Sequence, residues 1–191
     1  MTKELVFLLE EPSAGAMLES LLPRFLDNRI VSRMVPFEGK QDLDKHLVRR
    51  IRGYQNPAAR FIVLRDQDSH PDCIKLKQRL CDLCSQSGKM TACLVRIACR
   101  ELETFYLADL AATEIALGLT GLTRHQNNRK FRAPDYLGSP SGELHTLTRG
   151  KYQKVSGSRE IGKHLNLNNQ RSASFHNLVT GIRRMEAELL A

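Results

Sequence analysis

The chain has 191 residues, the length of one ordinary domain or of a domain with an appendage. Hydrophobic residues make up 41% of it and charged residues 26%, which excludes a wholly disordered protein. No apolar run approaches the roughly 18 residues that span a bilayer, and residues 1–9 become acidic too early for a signal peptide. We therefore expect a soluble, cytoplasmic protein with no membrane partner. Five cysteines, an odd number, predict reduced thiols.

Four apolar runs alternate with amphipathic segments along the first hundred residues. The runs that predict buried strands are 5–9, 30–36, 60–65 and 90–98. Helical spacing separates them: from Pro12 to Phe25, from Leu43 to Tyr54, and from Pro71 to near Gly88. This order predicts an α/β domain over residues 1–120, with a mainly parallel four-stranded sheet flanked by helices.

The regular alternation ends after the fourth strand. Short helices are expected at 101–109 and 113–119, and a final helix has Phe175, Leu178 and Ile182 on one face. Residues 121–158 are rich in Gly, Pro, Ser, Asn and basic residues, which predicts a loop-rich stretch. We therefore expect a helical, loop-rich C-terminal extension, residues 121–191, packed on the α/β domain.

The positive charge is concentrated in that extension. The chain has 29 basic and 21 acidic residues, a net charge of +8. Residues 1–121 contain 17 basic and 16 acidic residues, whereas residues 122–191 contain 12 basic and 5 acidic residues. A segregated basic segment favours a polyanionic partner such as DNA or RNA, although a solubilising surface explains it equally well.

Acidic residues follow two of the predicted strands directly. Glu10 and Glu11 follow the first strand, and Asp66 and Asp68 follow the third. Ligands of parallel α/β sheets bind at the carboxyl ends of the strands, and hard divalent cations prefer carboxylate oxygens. The alternative is that these residues cap helices, as Asp68 could for the helix expected at Pro71.

A third acidic cluster follows the fourth strand and could supply further ligands. It consists of Glu101, Glu103 and Asp109. Glutamate is also common in the first turn of a helix, so a purely structural role is the stronger alternative for this cluster.

Two segments resemble the signatures of the Toprim domain, which has a Rossmann-like fold. They are strand-Glu-x-Pro-Ser at 6–13 and strand-Asp-x-Asp at 61–68. The domain occurs in topoisomerases, bacterial primases, small RNA-maturation nucleases and overcoming-lysogenisation-defect nucleases. Residues 96–109, Lys151-x-x-Lys154 and Ser172-x-Ser174-Phe175 resemble a short bacterial Toprim-like family. Its genes often neighbour the gene of an ABC-type or SMC-type ATPase, which would be the partner.

The resemblance implies a role for each acidic residue. Glu10 would be the general acid/base, Asp66 and Asp68 would hold Mg²⁺ or Mn²⁺, and Glu103 would be an additional ligand. Glu10, Asp66 and Asp68 form the predicted catalytic set. Many Toprim proteins have Gly where this chain has Glu11, and glycine would let the backbone approach a phosphate closely.

Four basic residues are predicted to contact nucleic-acid phosphates, namely Arg96, Arg100, Lys151 and Lys154. Each could equally be a solvated surface charge.

Two other motifs do not predict sites. Residues 157–164 nearly match a Walker A loop, but His164 replaces the magnesium-binding Ser/Thr and no buried strand precedes the segment. Cys81 and Cys84 form a single CxxC without a second pair at zinc spacing, which favours structural thiols.

The sequence therefore predicts a magnesium-dependent, Toprim-type endonuclease that hydrolyses nucleic-acid phosphodiesters in a prokaryotic anti-phage defence system. It could form a homo-oligomer. One alternative is a catalytically weak or inactive regulatory or sensing partner of an ATPase, which Glu11 favours. A glycosyltransferase using the Asp-x-Asp motif is a third interpretation, although the placement of the glycines predicts no nucleotide-sugar pocket.

Overall fold

Four parallel strands form the central sheet of the computed structural model, which describes residues 2–191. They are β1 (Lys3–Leu9), β2 (Ile30–Pro36), β3 (Arg60–Asp66) and β4 (Cys93–Ala98). Their order in the sheet is β2-β1-β3-β4, and every neighbouring pair is parallel. The connections contain the helices α1 (Pro12–Leu21), α2 (Lys40–Arg52) and α3 (Cys73–Gln86). The predicted α/β class with a parallel four-stranded sheet is confirmed.

The central strands are apolar on both faces because helices cover both faces of the sheet. Side chains alternate along β1, so Leu5 and Phe7 belong to one apolar cluster while Val6 and Leu8 belong to the other. The first cluster includes residues of α1 and of the C-terminal half of the chain, and the second includes residues of α2 and α3. Buried runs of this kind leave polar side chains only where the strands end.

The C-terminal half is helical and completes one face of the core. Its helices are α4 (Glu103–Leu107), α5 (Leu110–Ala116), α6 (Pro140–Leu147), α7 (Lys154–Gly162) and α8 (Ala173–Leu190). Helix α7 packs on α1, and α8 packs on β4 and β1. Phe175 and Ile182 of α8 lie in the same apolar cluster as Leu5 and Phe7 of β1. The domain boundary at residue 120 stays a prediction. None of the helices within residues 2–191 is long and apolar enough to cross a membrane.

The stretch 121–158 lies mostly outside regular helices and strands, as predicted, but it also contains α6 and the start of α7. These helices have only 8 and 9 residues, too few to show a clear amphipathic repeat. Helix α3 begins at Cys73 rather than at Pro71. Its N-cap is Asp72, whose side chain accepts hydrogen bonds from the backbone N–H groups of Ile74 and Lys75, so Asp68 is not the cap.

Most of the segment that resembles a Walker A loop, residues 157–164, lies in helix α7. Its glycines are positions where α7 packs closely against its neighbours. A Cβ atom on Gly162 would lie 2.5 Å from the backbone oxygen of Met17 in α1. A Cβ atom on Gly157 would lie 2.6 Å from the ring of Tyr152. The two glycines therefore let α7 approach its neighbours closely, and this part of the chain does not form a phosphate-binding loop.

The substitution Gly162→Ala is expected to destabilise the protein by about 1–3 kcal/mol, because the contact is with backbone, which cannot turn away as a side chain can. This cost exceeds the roughly 1 kcal/mol that alanine gains over glycine within a helix. Urea unfolding would measure the difference. Gly138→Ala is the control, since no atom lies within 4 Å of its added Cβ. Equal midpoints for the two variants would contradict the close approach of α7 to α1.

Candidate active site

Glu10 and Asp66 meet at the carboxyl edge of the sheet because β1 and β3 are neighbours. Glu10 follows the last residue of β1, and Asp66 is the last residue of β3. The backbone N–H of Asp66 donates to Oε2 of Glu10 over 3.1 Å, and the backbone N–H of Glu10 donates to the carbonyl of Leu64 over 3.2 Å. Both carboxylates are therefore positioned by the sheet itself.

Glu103 is the first residue of α4 and is 1% exposed. Its Oε1 atom accepts a hydrogen bond of 3.0 Å from the hydroxyl of Tyr152. Burial raises the pKa of Glu103, although Lys154 and the Tyr152 hydroxyl favour its charged form. A buried carboxylate at this position favours a cation or a proton in its neighbourhood.

Asp66 interacts electrostatically with three glutamates. Burial raises the pKa of Asp66 well above its ordinary value, and Glu103, Glu11 and Glu10 raise it further. We call these four residues, Glu10, Glu11, Asp66 and Glu103, the acidic centre. The mutual repulsion of their carboxylates means that the centre attracts positive charge.

Arg65 is the buried counter-charge beside Glu10. Its Nε atom lies 3.8 Å from Oε2 of Glu10, and its Nη1 atom donates to Asp44 of α2 over 2.8 Å. Within residues 2–191, Nε of Arg65 has no hydrogen-bond partner. Burial and the charge of Asp68 raise the pKa of Glu10, while the N–H of Asp66 and the charge of Arg65 oppose this shift. Glu10 is therefore held where it can exchange a proton closer to neutral pH than an exposed glutamate can.

Asp68 lies at the rim of the acidic centre and is paired with a lysine. Its carboxylate is 2.9 Å from Nζ of Lys40 at the start of α2, and its side chain is 33% exposed. Asp68 and Arg100 both have left-handed backbone, with φ of 52° and 64°. The N–H of Asp68 donates to the carbonyl of Arg100 over 2.7 Å, and Nη1 of Arg100 donates to the carbonyl of Asp68 over 3.4 Å. The loops after β3 and β4 are thus tied together, which places Arg100 beside the rim.

Lys154 reaches into the acidic centre from the start of α7. Its Nζ atom lies 2.5 Å from Oε2 of Glu11, whose other oxygen accepts from the hydroxyl of Ser13 over 2.6 Å. Desolvation lowers the pKa of Lys154, but the hydrogen bond and the charge of Glu11, followed by Glu103, outweigh it and raise the pKa. Part of the positive charge of the C-terminal segment is therefore balanced by acids of the α/β portion.

The other two basic residues predicted to bind phosphate lie elsewhere. Arg96 donates from Nε to the carbonyl of Asn177 in α8 over 2.8 Å and from Nη1 to the carbonyl of Val95 over 2.9 Å. Lys151 lines a separate cavity. The structure therefore brings Lys154 and Arg100 to the acidic centre and its rim, and it engages Arg96 with helix α8.

Glu101 and Asp109 make structural contacts. Oε2 of Glu101 accepts from the N–H of Ser141 over 2.6 Å. Asp109 caps α5 by accepting from the N–H of Ala112, and its other oxygen accepts from the N–H of Asn166 over 2.7 Å. Glu103 alone of the third acidic cluster thus belongs to the acidic centre.

Sequence reasoning missed two residues of the site. Tyr152 orients Glu103 through its hydroxyl, which also lies 3.1 Å from the hydroxyl of Ser158. The only signal for it was its place between Lys151 and Lys154. Arg65 was visible as an arginine at the end of an otherwise apolar run, a position where a buried ion pair could have been expected.

The donor chemistry of the acidic centre fits a hard divalent cation, because all of its ligand atoms would be carboxylate oxygens. A cavity of about 450 Å³ is lined by Glu103, Tyr152 and Lys154, and it borders the acidic centre at Glu103. Within residues 2–191, no three His, Cys, Asp or Glu side chains are arranged as a group that could hold a metal ion. The residues thus suit the ion by chemical type, whereas their side chains are not arranged as a formed metal site.

Comparisons with known proteins agree with the fold. A family model described as Domain of unknown function (DUF4276) matches residues 9–183. Among solved structures, the C-terminal region of the Burkholderia pseudomallei OLD protein is similar with a TM-score of 0.53 and 16% sequence identity. The match covers 97% of this chain and 99% of that chain, and at this identity it concerns the fold alone. No protein with a curated description matches the sequence. The predicted relation to OLD proteins is supported at the level of the fold, and the neighbouring ATPase gene stays a prediction.

Proposed function

We propose that this chain, which belongs to the family described as Domain of unknown function (DUF4276), hydrolyses nucleic-acid phosphodiesters at the acidic centre. The observation that carries the proposal is the contact between Glu10 and Asp66 at the carboxyl edge of a parallel sheet, with Glu103 close enough to raise the pKa of Asp66. Ligands of open α/β sheets bind at this edge. The resemblance to overcoming-lysogenisation-defect nucleases and the fold shared with the OLD C-terminal region support the same activity.

Glu10, Asp66 and Glu103 would hold Mg²⁺ or Mn²⁺, and Asp68 would join them after release from Lys40. A bound divalent cation would supply charge neutralisation at the phosphate and a lower pKa for an attacking water. Glu10 would take up or deliver the proton, for which its partly buried position beside Arg65 suits it. Lys154 and Arg100 border the carboxylates and would hold the phosphate oxygens in place.

The biological setting rests on the sequence resemblance. We propose a DNA or RNA substrate, a role in prokaryotic anti-phage defence, and an ABC-type or SMC-type ATPase as partner. The basic excess of residues 122–191 supports a polyanionic substrate.

Two ion pairs favour a second candidate function, a catalytically weak regulatory partner of an ATPase. Lys154 pairs with Glu11 and Lys40 pairs with Asp68, so two lysines neutralise carboxylates that a metal-dependent enzyme would keep for the ion. In such a protein the lysines would stand permanently in place of the metal, or leave only in the complex.

A cleavage assay decides between the two functions. Labelled single-stranded DNA, duplex DNA and RNA would be incubated with Mg²⁺, Mn²⁺ or a chelator. We expect metal-dependent cleavage that falls at least about 100-fold in Glu10→Gln and in Asp66→Asn, the usual range for loss of an acid/base group. Asp82→Asn is the matched control, an exposed helical aspartate that accepts a hydrogen bond from Gln78. Cleavage by Asp66→Asn at the parent rate would show that the assigned site is wrong. Absence of cleavage of every substrate, with and without an ATPase partner, would favour the regulatory function.

A further inference from the structure

A second polar cavity lies outside the acidic centre, between the loop 118–122 and the turn 149–151. Its volume is about 320 Å³. Four of its lining side chains are basic, namely Arg124, His125, Arg149 and Lys151, and none of its lining residues is acidic. We call it the cationic cavity. Its composition is the opposite of that of the acidic centre.

The cations of this cavity are not neutralised by the protein. Among residues 2–191, Arg124, Arg149 and Lys151 form no ion pair, in contrast to Lys154, which pairs with Glu11. Nε of Arg124 donates to the ring nitrogen Nε2 of His125 over 3.3 Å, so its hydrogen-bond partner is an imidazole and not a carboxylate. The cavity therefore holds uncompensated positive charge that an anion would stabilise.

The acid on the adjoining helix is engaged with backbone. Oε2 of Glu114 accepts from the N–H of Thr123 over 2.9 Å and from its hydroxyl over 3.1 Å. These hydrogen bonds from the following loop lower the pKa of Glu114. Glu114 thus fixes one wall of the cavity and does not pair with the cations.

The turn on the other side of the cavity is also fixed. Arg149 and Gly150 have left-handed backbone, with φ of 53° and 76°. The N–H of Arg149 donates to the carbonyl of Thr146 over 3.2 Å, and the N–H of Lys151 donates to the carbonyl of Thr148 over 3.1 Å. Left-handed backbone is unfavourable for a non-glycine residue, and such residues are concentrated at functional positions. The turn therefore fixes the backbone positions of Arg149 and Lys151.

We propose that the cationic cavity binds a phosphate group of a nucleic-acid strand. Arginine and lysine together match the several charged oxygens of a phosphate, and arginine can bind two of them at once. Lys151 immediately precedes Tyr152, whose hydroxyl bonds Glu103, so a single segment borders both the cavity and the acidic centre. The choice of a nucleic-acid ligand rests on the proposed function, while the assignment of Arg124 and Arg149 goes beyond it.

Binding without metal tests the proposal, because a chelator removes metal-dependent cleavage from the measurement. A short single strand labelled at its 3′ end, with either a 5′-phosphate or a 5′-hydroxyl, would be titrated by fluorescence anisotropy. The variant Arg124→Gln/Lys151→Gln is expected to bind about tenfold more weakly or worse. Its plot of log affinity against log salt should flatten by about 0.7, the value for one phosphate contact on a single strand. Loss confined to the 5′-phosphorylated strand would assign a terminal phosphate, and equal loss on both strands would assign a backbone phosphate.

The control removes the same two charges from helix α2, as Lys45→Gln/Arg50→Gln, where both side chains are exposed and neither forms an ion pair within residues 2–191. This control should bind like the parent. Equal weakening by both double variants would overturn the proposal in favour of general electrostatic attraction. If neither double variant binds more weakly than the parent, the proposal is also overturned.

Arg149→Asn provides an independent variant, since asparagine tolerates left-handed backbone and should leave the turn intact. If the parent cleaves nucleic acid but the cavity variants bind as tightly as the parent, the phosphate site in the cavity is refuted and the proposed nuclease activity is not. If the cavity variants bind more weakly but the parent cleaves no substrate, the nuclease activity is refuted and the phosphate site is not.

Discussion

Asp66→Asn is expected to make the protein more stable at neutral pH, although it removes the side chain on which the proposed activity depends. The carboxyl group of Asp66 is partly buried, and its pKa is raised by desolvation and by the charges of Glu103, Glu11 and Glu10. In the unfolded chain it ionises near pH 3.9. As the pH rises past that value the unfolded state loses its proton first, so the free energy of unfolding falls until the native carboxyl also ionises. The asparagine amide has no such penalty.

The measurement is the free energy of unfolding at pH 4 and at pH 7.5 in the presence of a chelator. The stability difference between Asp66→Asn and the parent should be small at pH 4 and should grow in favour of the variant at pH 7.5. A gain of about 1 kcal/mol would raise the melting temperature by about 2–4 °C for a chain of this size. Asp82→Asn serves again as the control, because Asp82 is exposed on α3. A variant that is less stable than the parent at both pH values would show that Asp66 is an ordinary structural carboxylate.

The same pair of proteins reports on metal binding without any activity assay. A ligand that binds only the native state stabilises it by RT ln(1 + [L]/Kd), about 2.7 kcal/mol at 100 times Kd. Mn²⁺ or Mg²⁺ should therefore raise the melting temperature of the parent and have little effect on Asp66→Asn. An equal response of the two proteins would place the ion elsewhere.

Arg65→Met is expected to be the most destabilising of the charge-removing substitutions, at about 2–4 kcal/mol. The Arg65 side chain is 7% exposed. Its guanidinium forms an ion pair with Asp44 and lies beside the carboxylate of Glu10. Removal of one member of a buried pair leaves the other charge without its partner, which typically costs 3–5 kcal/mol. Arg79 remains paired with Asp44 and reduces that cost. The loss of positive charge beside Glu10 should also raise the pKa of that carboxyl further.

Arg79→Met is the matched control because Arg79 shares the same partner, Asp44, from a side chain that is 56% exposed. Solvent screens such a pair, so its removal should cost less than about 1 kcal/mol. Urea unfolding of the parent, of the three single variants Arg65→Met, Arg79→Met and Asp44→Asn, and of each arginine variant combined with Asp44→Asn gives the coupling energies. If Arg65→Met and Arg79→Met were equally stable, the buried guanidinium would not be the principal counter-charge of this edge of the sheet.

The sheet and its strand-end carboxylates could be predicted because both depend on local pattern. Continuous apolar runs specify buried strands, and Glu10 and Asp66 stand out as acids where those runs stop. The partners of these residues could not be predicted, since they come from distant segments. Lys154 reaches Glu11 only because α7 packs on α1, and Arg96 turns to Asn177 only because α8 covers β4.

The left-handed backbone at Asp68 and Arg100 was equally invisible in the sequence. Neither position is a glycine, and the conformation follows from the hydrogen bond that ties the two loops together. Asp68 therefore faces Lys40, which sequence reasoning did not predict.

The hydroxyl of Tyr152 on the carboxylate of Glu103 has a consequence for how this site can be divided or transferred. If the chain were cut near residue 120, Glu103 and Tyr152 would lie on different fragments. The apolar cluster that contains Leu5 and Phe7 also includes residues from both sides of such a cut. A fragment ending there would lose the group that orients Glu103 and would expose Leu5 and Phe7 to water. The acidic centre is therefore not contained in residues 1–120, so a chimera that transfers it must include residues from both sides of such a cut.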